Sequence, residues 1–246
     1  MPRAPHSPDS ASRRSPRGRA AAEGTAHFSP ALFAFLRELA AHNDRAWFLA
    51  NKSRYDADVR EPMLRFIADF GPHLRRISRY FIADPRPVGG SMFRIHRDTR
   101  FSRDKRPYKT VAAARFPHAA ASRDVHAPGF YLHLEPGNCF AGAGLWHPDA
   151  AALRRVREAI VARPTAWRAV LAAGLPLGGG TLRRPPRGYD PAHPFVEDLK
   201  RTDFVTTVSF SEAEVCGPRF LEAFAEACRA ASPLVEFVTK ALGLRW

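Results

Sequence analysis

The sequence has few cysteines and no long apolar run, and each absence excludes a class of protein. Its three cysteines, Cys139, Cys216 and Cys228, are odd in number and widely separated, and none belongs to a Cys-x-x-Cys pair. This argues against a disulfide framework and a zinc site, so buried free thiols are expected. No apolar run reaches the length of a membrane span, and no secretory signal opens the chain. We therefore expect a cytoplasmic protein with no membrane partner.

Short motifs that identify common enzyme classes are also missing. The sequence contains no nucleophile-elbow serine, no Walker phosphate loop, no dinucleotide-binding fingerprint and no His-Glu-x-x-His pair. The glycine run at 178–180 lacks a following Gly-Lys-Ser/Thr and is interpreted as a flexible loop. His96, His133, His147 and Asp149 lack the spacing of dedicated metal ligands. We expect no cofactor and no metal site.

Acidic residues are scarce relative to basic ones. The 38 lysines and arginines outnumber the 24 aspartates and glutamates, and the formal net charge is +14. Such a charge suits an anionic partner, nucleic acid included. However, the basic side chains are scattered along the whole chain, and no helix-turn-helix, zinc-finger or RNA-recognition signature accompanies them. Nucleic-acid binding is therefore an alternative and not the leading hypothesis.

The beginning of the chain differs in composition from the rest. Residues 1–26 are rich in proline, serine, alanine and arginine, and Met1 is their only large apolar residue. Such a segment cannot bury enough apolar surface to offset its ordering entropy. We predict a disordered basic tail over residues 1–26 and a single domain over residues 27–246.

Residues after the tail follow helical and then strand-like patterns. Apolar spacing predicts three helices, beginning at Ser29, at Asn43 or Asp44, and at Pro62, with a kink or a break at Gly71-Pro72. Alternating apolar and polar residues predict five strands, over residues 92–98, 108–116, 129–135, 139–146 and 204–210. Short connections favour an antiparallel meander. The predicted fold class is α+β, a mostly antiparallel sheet packed with helices and preceded by a helical segment.

The densest concentration of charge lies between two of the predicted strands. From Arg94 to Lys109 the chain has seven lysines and arginines but only two carboxylates, Asp98 and Asp104. Some of these cations therefore lack a local partner, and guanidinium groups near turn N–H groups suit a phosphate or a carboxylate. We predict an anion-binding site. Its predicted ligand-binding residues are Arg94, Arg97, Arg100, Asp104, Lys105, Tyr108 and Lys109.

Alternation along the strands sorts the side chains that could carry chemistry. Two polar rows result, with Arg94, His96 and Asp98 on the first predicted strand and Tyr131, His133 and Glu135 on the third. Whether the two rows share one face of the sheet depends on strand register. A general acid or base would come from one of four residues. These catalytic candidates are Asp98, His96, His133 and Glu135, and hydrolysis of a phosphate ester is the natural reaction class.

Two arginines fall on apolar faces. Arg97 lies on the apolar side of the first predicted strand, and Arg157 lies in the buried stripe of a predicted helix. A buried guanidinium needs a partner that offsets its desolvation. We expect a carboxylate beside Arg97 and, for Arg157, one of Asp98, Asp104 or Glu135. Part of the charge cluster would then be a structural ion-pair network.

The charge cluster also carries a family resemblance. The pattern Arg94-x-x-Arg97-Asp98-x-Arg100-Phe101-x-x-Asp104-Lys105-x-x-Tyr108 resembles the signature of the bacterial domain of unknown function 2461 family. Further stretches resemble the same family, namely Phe28-Ser29-Pro30, Asn43 to Phe48, Gly129 to Gly137 and Gly142 to Trp146. The resemblance implies membership alone, because the family has no assigned activity. A typical member would lack the N-terminal tail.

The sequence supports three hypotheses of function, in this order. The first is a site for an anionic small molecule, phosphorylated or carboxylated, with or without catalysis. The second is nucleic-acid binding through the basic surface and tail. The third is a charge cluster that only stabilises the fold, with function in protein–protein interaction.

Overall fold

Five antiparallel strands form one sheet, and helices pack on one of its faces. The computed structural model describes residues 24–122, 124 and 126–246. The strands are β1 (Ala112–Pro117), β2 (Gly129–Glu135), β3 (Asn138–Leu145), β4 (Leu177–Gly178) and β5 (Phe204–Phe210), in the spatial order β1-β2-β3-β5-β4. This is a single α+β domain, so the predicted fold class is confirmed. Of the predicted disordered tail, residues 1–23 lie outside the described residues.

The helices are mostly short. They are α1 (Pro30–Ala41), α2 (Arg45–Ala50), α3 (Lys52–Arg54), a π-helical turn (Tyr55–Arg60), α4 (Glu61–Ile77), a 3-10 turn (Ala119–Ala121), α5 (Ala150–Ala162), α6 (Pro164–Ala172), α7 (Val196–Leu199), α8 (Glu212–Val215), α9 (Phe220–Ala230) and α10 (Ser232–Ala241). The three helices predicted from apolar spacing correspond to α1, α2 and α4, each of which begins within one or two residues of the predicted start. Asp44 caps α2 by accepting a hydrogen bond from the Trp47 N–H (2.9 Å). Across the described part of the chain, no helix has the length and apolar character to cross a membrane.

Helix α4 is continuous where the sequence predicts a kink or a break. It passes through Gly71-Pro72 without interruption. An interior proline removes one helical hydrogen bond and costs roughly 3 kcal/mol. Phe66, Phe70 and Leu74 on the same helix are almost fully buried, and burial of each such side chain contributes about 1.5–3 kcal/mol. Packing outweighs the local penalty, and of the two predicted alternatives, a kink or a break, the break is wrong.

The sheet has one covered and one open face. Along β2, the buried residues Phe130, Leu132 and Leu134 alternate with half-buried residues. These three buried residues belong to the main hydrophobic core, in which the ring centroids of Phe70 and Phe116 are 4.7 Å apart. The polar residues of β2 therefore lie on the face opposite the helices, which we call the open face.

The prediction of a regular strand over residues 92–98 is wrong. Within the described residues, 92–98 makes two isolated pairings, Met92 with Ala114 and His96 with Tyr108. Between these pairings, three residues on one side lie opposite five on the other, so two extra residues interrupt the ladder. As a result, β1 starts four residues later than predicted. Alternation in the sequence does not show such a bulge, because alternation does not fix register.

Candidate functional site

Residues 94–109 form an arm beside β1, and this arm carries all the predicted ligand-binding side chains. Two backbone hydrogen bonds close its base, from the Arg97 N–H to the Pro107 carbonyl (2.8 Å) and from the Lys109 N–H to the Ile95 carbonyl (2.8 Å). The intervening residues protrude as a loop. Backbone hydrogen bonds therefore fix the base of the arm, which lies at the bulge next to β1.

The arm's own arginines take up both of its carboxylates. Asp104 accepts hydrogen bonds from Arg97 (2.5 Å) and Arg106 (2.7 Å). Asp98 accepts one from Arg100 (2.7 Å). The Arg106 and Arg97 guanidinium groups hold the pKa of Asp104 well below its usual range, and the Arg100 guanidinium lowers the pKa of Asp98. The predicted carboxylate partner of Arg97 is thus confirmed, and each of these ion pairs joins residues within the arm.

The tip of the arm also makes internal contacts. The Lys105 ammonium donates to the Thr99 carbonyl (2.9 Å), and the Arg100 guanidinium lies 5.8 Å from the ring centre of Phe101. Phe101 itself is 96% exposed. Arg100 and Lys105 therefore have partners at the tip, and neither lines the cleft at the base.

Tyr108 anchors the base of the arm to the helices. Its ring is buried and stacks on Phe48 of α2 with centroids 4.1 Å apart. Its backbone N–H donates to the Asn43 side-chain oxygen (3.0 Å), and its carbonyl accepts from the Asn43 side-chain nitrogen (3.0 Å). Sequence reasoning missed Asn43 as a site residue. The available signal was its place in a family-like stretch, directly before the helix cap Asp44.

An open cleft of about 230 Å³ lies at the base of the arm. Its lining consists of Arg97, Asp104, Arg106, Tyr108, Lys109, Thr110 and Val111. Three of these residues are cations and one is a carboxylate, which gives the lining a formal charge of +2. Four of the seven predicted ligand-binding residues thus meet in one place.

Among the described residues, no acid pairs with Lys109, whereas Arg97 and Arg106 of the cleft both pair with Asp104. The Lys109 ammonium lies 5.2 Å from the ring centre of Phe93. Burial and the nearby Arg94 guanidinium lower the pKa of Lys109. In the described part of the chain, neither Lys109 nor Arg94 has a carboxylate within ion-pair distance. Of the seven cations of the arm, the ion pairs use Arg97, Arg100 and Arg106, and Lys109 is the one of the remaining four that lines the cleft.

The second polar row lies on the open face, as alternation predicts. The Tyr131 hydroxyl is 2.9 Å from His133 Nδ1, and His133 Nε2 is 3.2 Å from Glu135 Oε2. A neutral imidazole protonated on Nε2 satisfies both contacts, because the phenol then donates to Nδ1 and the Nε2–H donates to the carboxylate. Burial, followed by the Glu135 charge, raises the pKa of Tyr131 to about 12. A hydroxyl, imidazole and carboxylate in this order can move a proton.

The two predicted polar rows do not merge. His96 packs beside Tyr108, with ring centroids 5.1 Å apart, and Asp98 pairs with the arm arginine. Phe93 instead contacts the second row, since its ring lies 6.1 Å from that of Tyr131. The bulge shifts the residues of the arm relative to β2. Of the four catalytic candidates, only His133 and Glu135 are hydrogen-bonded to each other.

The predicted carboxylate partner of Arg157 is wrong. Arg157 is 8% exposed, and it donates to two backbone carbonyls, those of Leu199 (2.7 Å) and Arg201 (3.0 Å). These carbonyls lie at and just beyond the end of α7, where helical carbonyls lack intrahelical partners and carry partial negative charge. The carbonyl groups at this helix end therefore offset the desolvation of the Arg157 guanidinium, a role that we expected a carboxylate to fill.

The glycine run at 178–180 is also not a flexible loop. A Cβ at Gly179 would overlap the side chain of Asp203, and one at Gly180 would overlap Thr202. The Gly180 N–H donates to the Asp203 carboxylate (3.1 Å). These glycines allow close packing around a buried acid. Among the described residues, no group of three or more His, Cys, Asp or Glu side chains could hold a metal ion.

Fold and site together define a class, an α+β domain whose antiparallel sheet has one open face bordered by a basic arm. A family model described as conserved hypothetical protein (DUF2461) matches residues 31–237. The chain belongs to this family, and the resemblance noted from the sequence is confirmed. Comparison with curated proteins and with solved structures gives no match. Membership supplies no activity, so function has to be argued from the site.

Proposed function

We propose that the cleft at the base of the arm binds a small oxyanion, the phosphate or carboxylate group of a larger molecule. The observation that carries this proposal is Lys109. Its half-buried ammonium has no acid partner among the described residues, and Arg94 adds a second positive charge nearby. Burying a cation beside another cation costs free energy unless an anion offsets the repulsion. An oxyanion in the cleft would remove that cost.

The guanidinium groups of the cleft also support the proposal. Arg97 donates to Asp104 through NH1 in the described structure, so most of its five N–H donors stay available. Arg106 uses Nε and NH2 for the same carboxylate and keeps NH1. Planar guanidinium groups match the geometry of phosphate and carboxylate oxygens. Asp104 would hold both groups in place.

Replacing Lys109 with methionine is expected to weaken binding of inorganic phosphate about 10-fold or more, because a charged hydrogen bond contributes roughly 1.5–3 kcal/mol. The measurement is isothermal titration calorimetry at low ionic strength, with inorganic phosphate and acetate as separate probes. Lys240→Met is the matched control, since Lys240 already pairs with Glu236 on α10. Equal phosphate affinity in the wild type and the Lys109→Met variant would contradict the proposal. So would a wild type that binds neither probe.

A further inference from the structure

The row on the open face has properties that an anion site alone does not need. Tyr131, His133 and Glu135 occupy alternate positions of β2 and are hydrogen-bonded in sequence. The His133 ring also stacks on Phe140 of β3, with centroids 4.6 Å apart and an interplanar angle of 14°. The Asn138 amide donates to Glu135 Oε2 (3.3 Å). The neighbouring strand thus holds the row in a fixed orientation.

Each of the first two residues of the row has one large and one small neighbour on the adjacent strands. Arg115 of β1 lies opposite Tyr131, and Phe140 of β3 lies opposite His133. In the register, Ala113 of β1 lies opposite His133, and Gly142 of β3 lies opposite Tyr131. A Cβ at Gly142 would already touch the rings of Tyr131 and Phe140. The row is therefore only partly accessible: the His133 side chain is 16% exposed and the Glu135 side chain is 37% exposed.

Hydrogen-bonding capacity in the row is only partly used. Glu135 Oε2 accepts from both His133 and Asn138, whereas Oε1 has no partner among residues 24–122, 124 and 126–246. An ionised carboxylate can accept about four hydrogen bonds. The Tyr131 oxygen likewise keeps acceptor capacity when its hydrogen points to His133. Acceptors of this kind suit ligand hydroxyl groups, while the charge of Glu135 disfavours a second anion beside it.

Phe93 connects the row to the cleft. Its ring lies 6.1 Å from the Tyr131 ring and 5.2 Å from the Lys109 ammonium. The cation of the cleft and the first polar group of the row are thus separated by a single aromatic ring. A ligand with an anionic group at one end and hydroxyl groups at the other could span this separation while packing its carbon skeleton on Phe93.

We propose that Tyr131, His133 and Glu135 bind the hydroxyl-bearing part of the ligand whose anionic group occupies the cleft, so that the ligand is a small phosphorylated polyol, such as a sugar phosphate. This inference rests on the proposed function of the cleft. The row accepts hydrogen bonds from the hydroxyls, and the rings of Phe93 and Phe140 contact the C–H surfaces. Specificity for the polyol comes from the row, and the cleft supplies attraction for the phosphate.

The test compares inorganic phosphate with three probes, ribose 5-phosphate, glucose 6-phosphate and glycerol 3-phosphate, by calorimetry. We expect at least one organic probe to bind the wild type about 10-fold more tightly than inorganic phosphate, which corresponds to two or three additional hydrogen bonds. In Glu135→Gln and Tyr131→Phe, that advantage should fall to about 3-fold or less. Their affinity for inorganic phosphate should stay within about 2-fold of the wild type. Glu226→Gln, an exposed substitution on α9, is the matched control, and thermal unfolding verifies that each variant folds.

The outcomes separate the two proposals. If the wild type does not bind inorganic phosphate, or if Lys109→Met binds it equally well, the cleft is not an anion site and both proposals fail. If phosphate binding depends on Lys109 but no organic probe binds better than phosphate, the inference about the row alone is overturned. Equal losses for phosphate and for the organic probe in Glu135→Gln would also overturn it, because they would show a general effect on the cleft.

Discussion

Replacing Gly144 with alanine is expected to destabilise the fold severely, with a loss of roughly 3–6 kcal/mol in the free energy of unfolding. Gly144 lies in β3 with φ of +124°, a conformation that side chains with a Cβ rarely adopt. A Cβ there would also overlap the Phe204 carbonyl oxygen of β5. That oxygen belongs to the backbone and cannot rotate away, so the two strands would have to separate. The expected loss is a large part of the roughly 5–15 kcal/mol that stabilises a typical domain.

Urea unfolding of the wild type and the variant measures this loss. Gly137→Ala is the matched control, because Gly137 also has a positive φ of +75° but lies in a turn with open space around it. Strain alone predicts about 1–2 kcal/mol for the control. If Gly144→Ala were no more destabilising than Gly137→Ala, the close approach of β3 and β5 at this position would be refuted.

Asn43→Ala is expected to reduce the free energy of unfolding by roughly 2–4 kcal/mol and to loosen the arm. The Asn43 side chain satisfies both the N–H and the carbonyl of Tyr108. Tyr108 is 4% exposed, and alanine would leave two backbone groups with no partner in place of that side chain. An unsatisfied buried group costs about 1–3 kcal/mol. The base of the arm positions Lys109, so phosphate affinity should fall as well.

Two measurements check the Asn43 prediction, urea unfolding and hydrogen exchange of the Tyr108 amide. Asn51→Ala is the matched control, since the Asn51 side chain donates to the Trp47 carbonyl of the adjacent helix and accepts from the half-exposed Arg54 side chain, without contacting Tyr108. We expect the control to lose about 1 kcal/mol and to keep the Tyr108 amide protected. Unchanged protection of that amide in Asn43→Ala would mean that Asn43 does not hold the arm.

The sequence predicts those parts of the fold whose signal is local. Strands β2 and β5 begin and end at the predicted residues, and in β2 buried and half-buried residues alternate along the whole strand. The polar row of β2 could also be predicted, because Tyr131, His133 and Glu135 are two residues apart on one strand. Pro30 likewise marks the first residue of α1.

Features set by long-range contacts could not be predicted in this way. The bulge beside β1 depends on register between segments, so it changes which residues of 92–98 reach the sheet. The partner of Arg157 is the end of a helix that lies more than 40 residues later in the chain. Pro72 remains inside α4 because distant side chains bury that helix. In each case tertiary packing overrides a local preference.

The cations of the arm fall into two sets, those in ion pairs and those without a carboxylate partner. Which cation belongs to which set depends on tertiary contacts. Composition shows that cations exceed acids in the arm, but it does not show which cations remain unpaired. The structure assigns Asp104 to Arg97 and Arg106, and Asp98 to Arg100. What remains near the cleft is Lys109. The proposed function therefore concerns the unpaired cation, and the ion pairs provide the framework around it.

The most direct test of the anion site is the pKa of Lys109, measured by ¹³C NMR of the lysine side chains with and without inorganic phosphate. Burial and Arg94 lower this pKa in the free protein. A bound anion stabilises the charged ammonium, so phosphate should raise the pKa, and by linkage phosphate affinity should fall as pH rises through it. Lys52 and Lys240, which already pair with carboxylates, are internal controls. An upward shift confined to the arm supports the account, whereas a Lys109 pKa that phosphate leaves unchanged contradicts it.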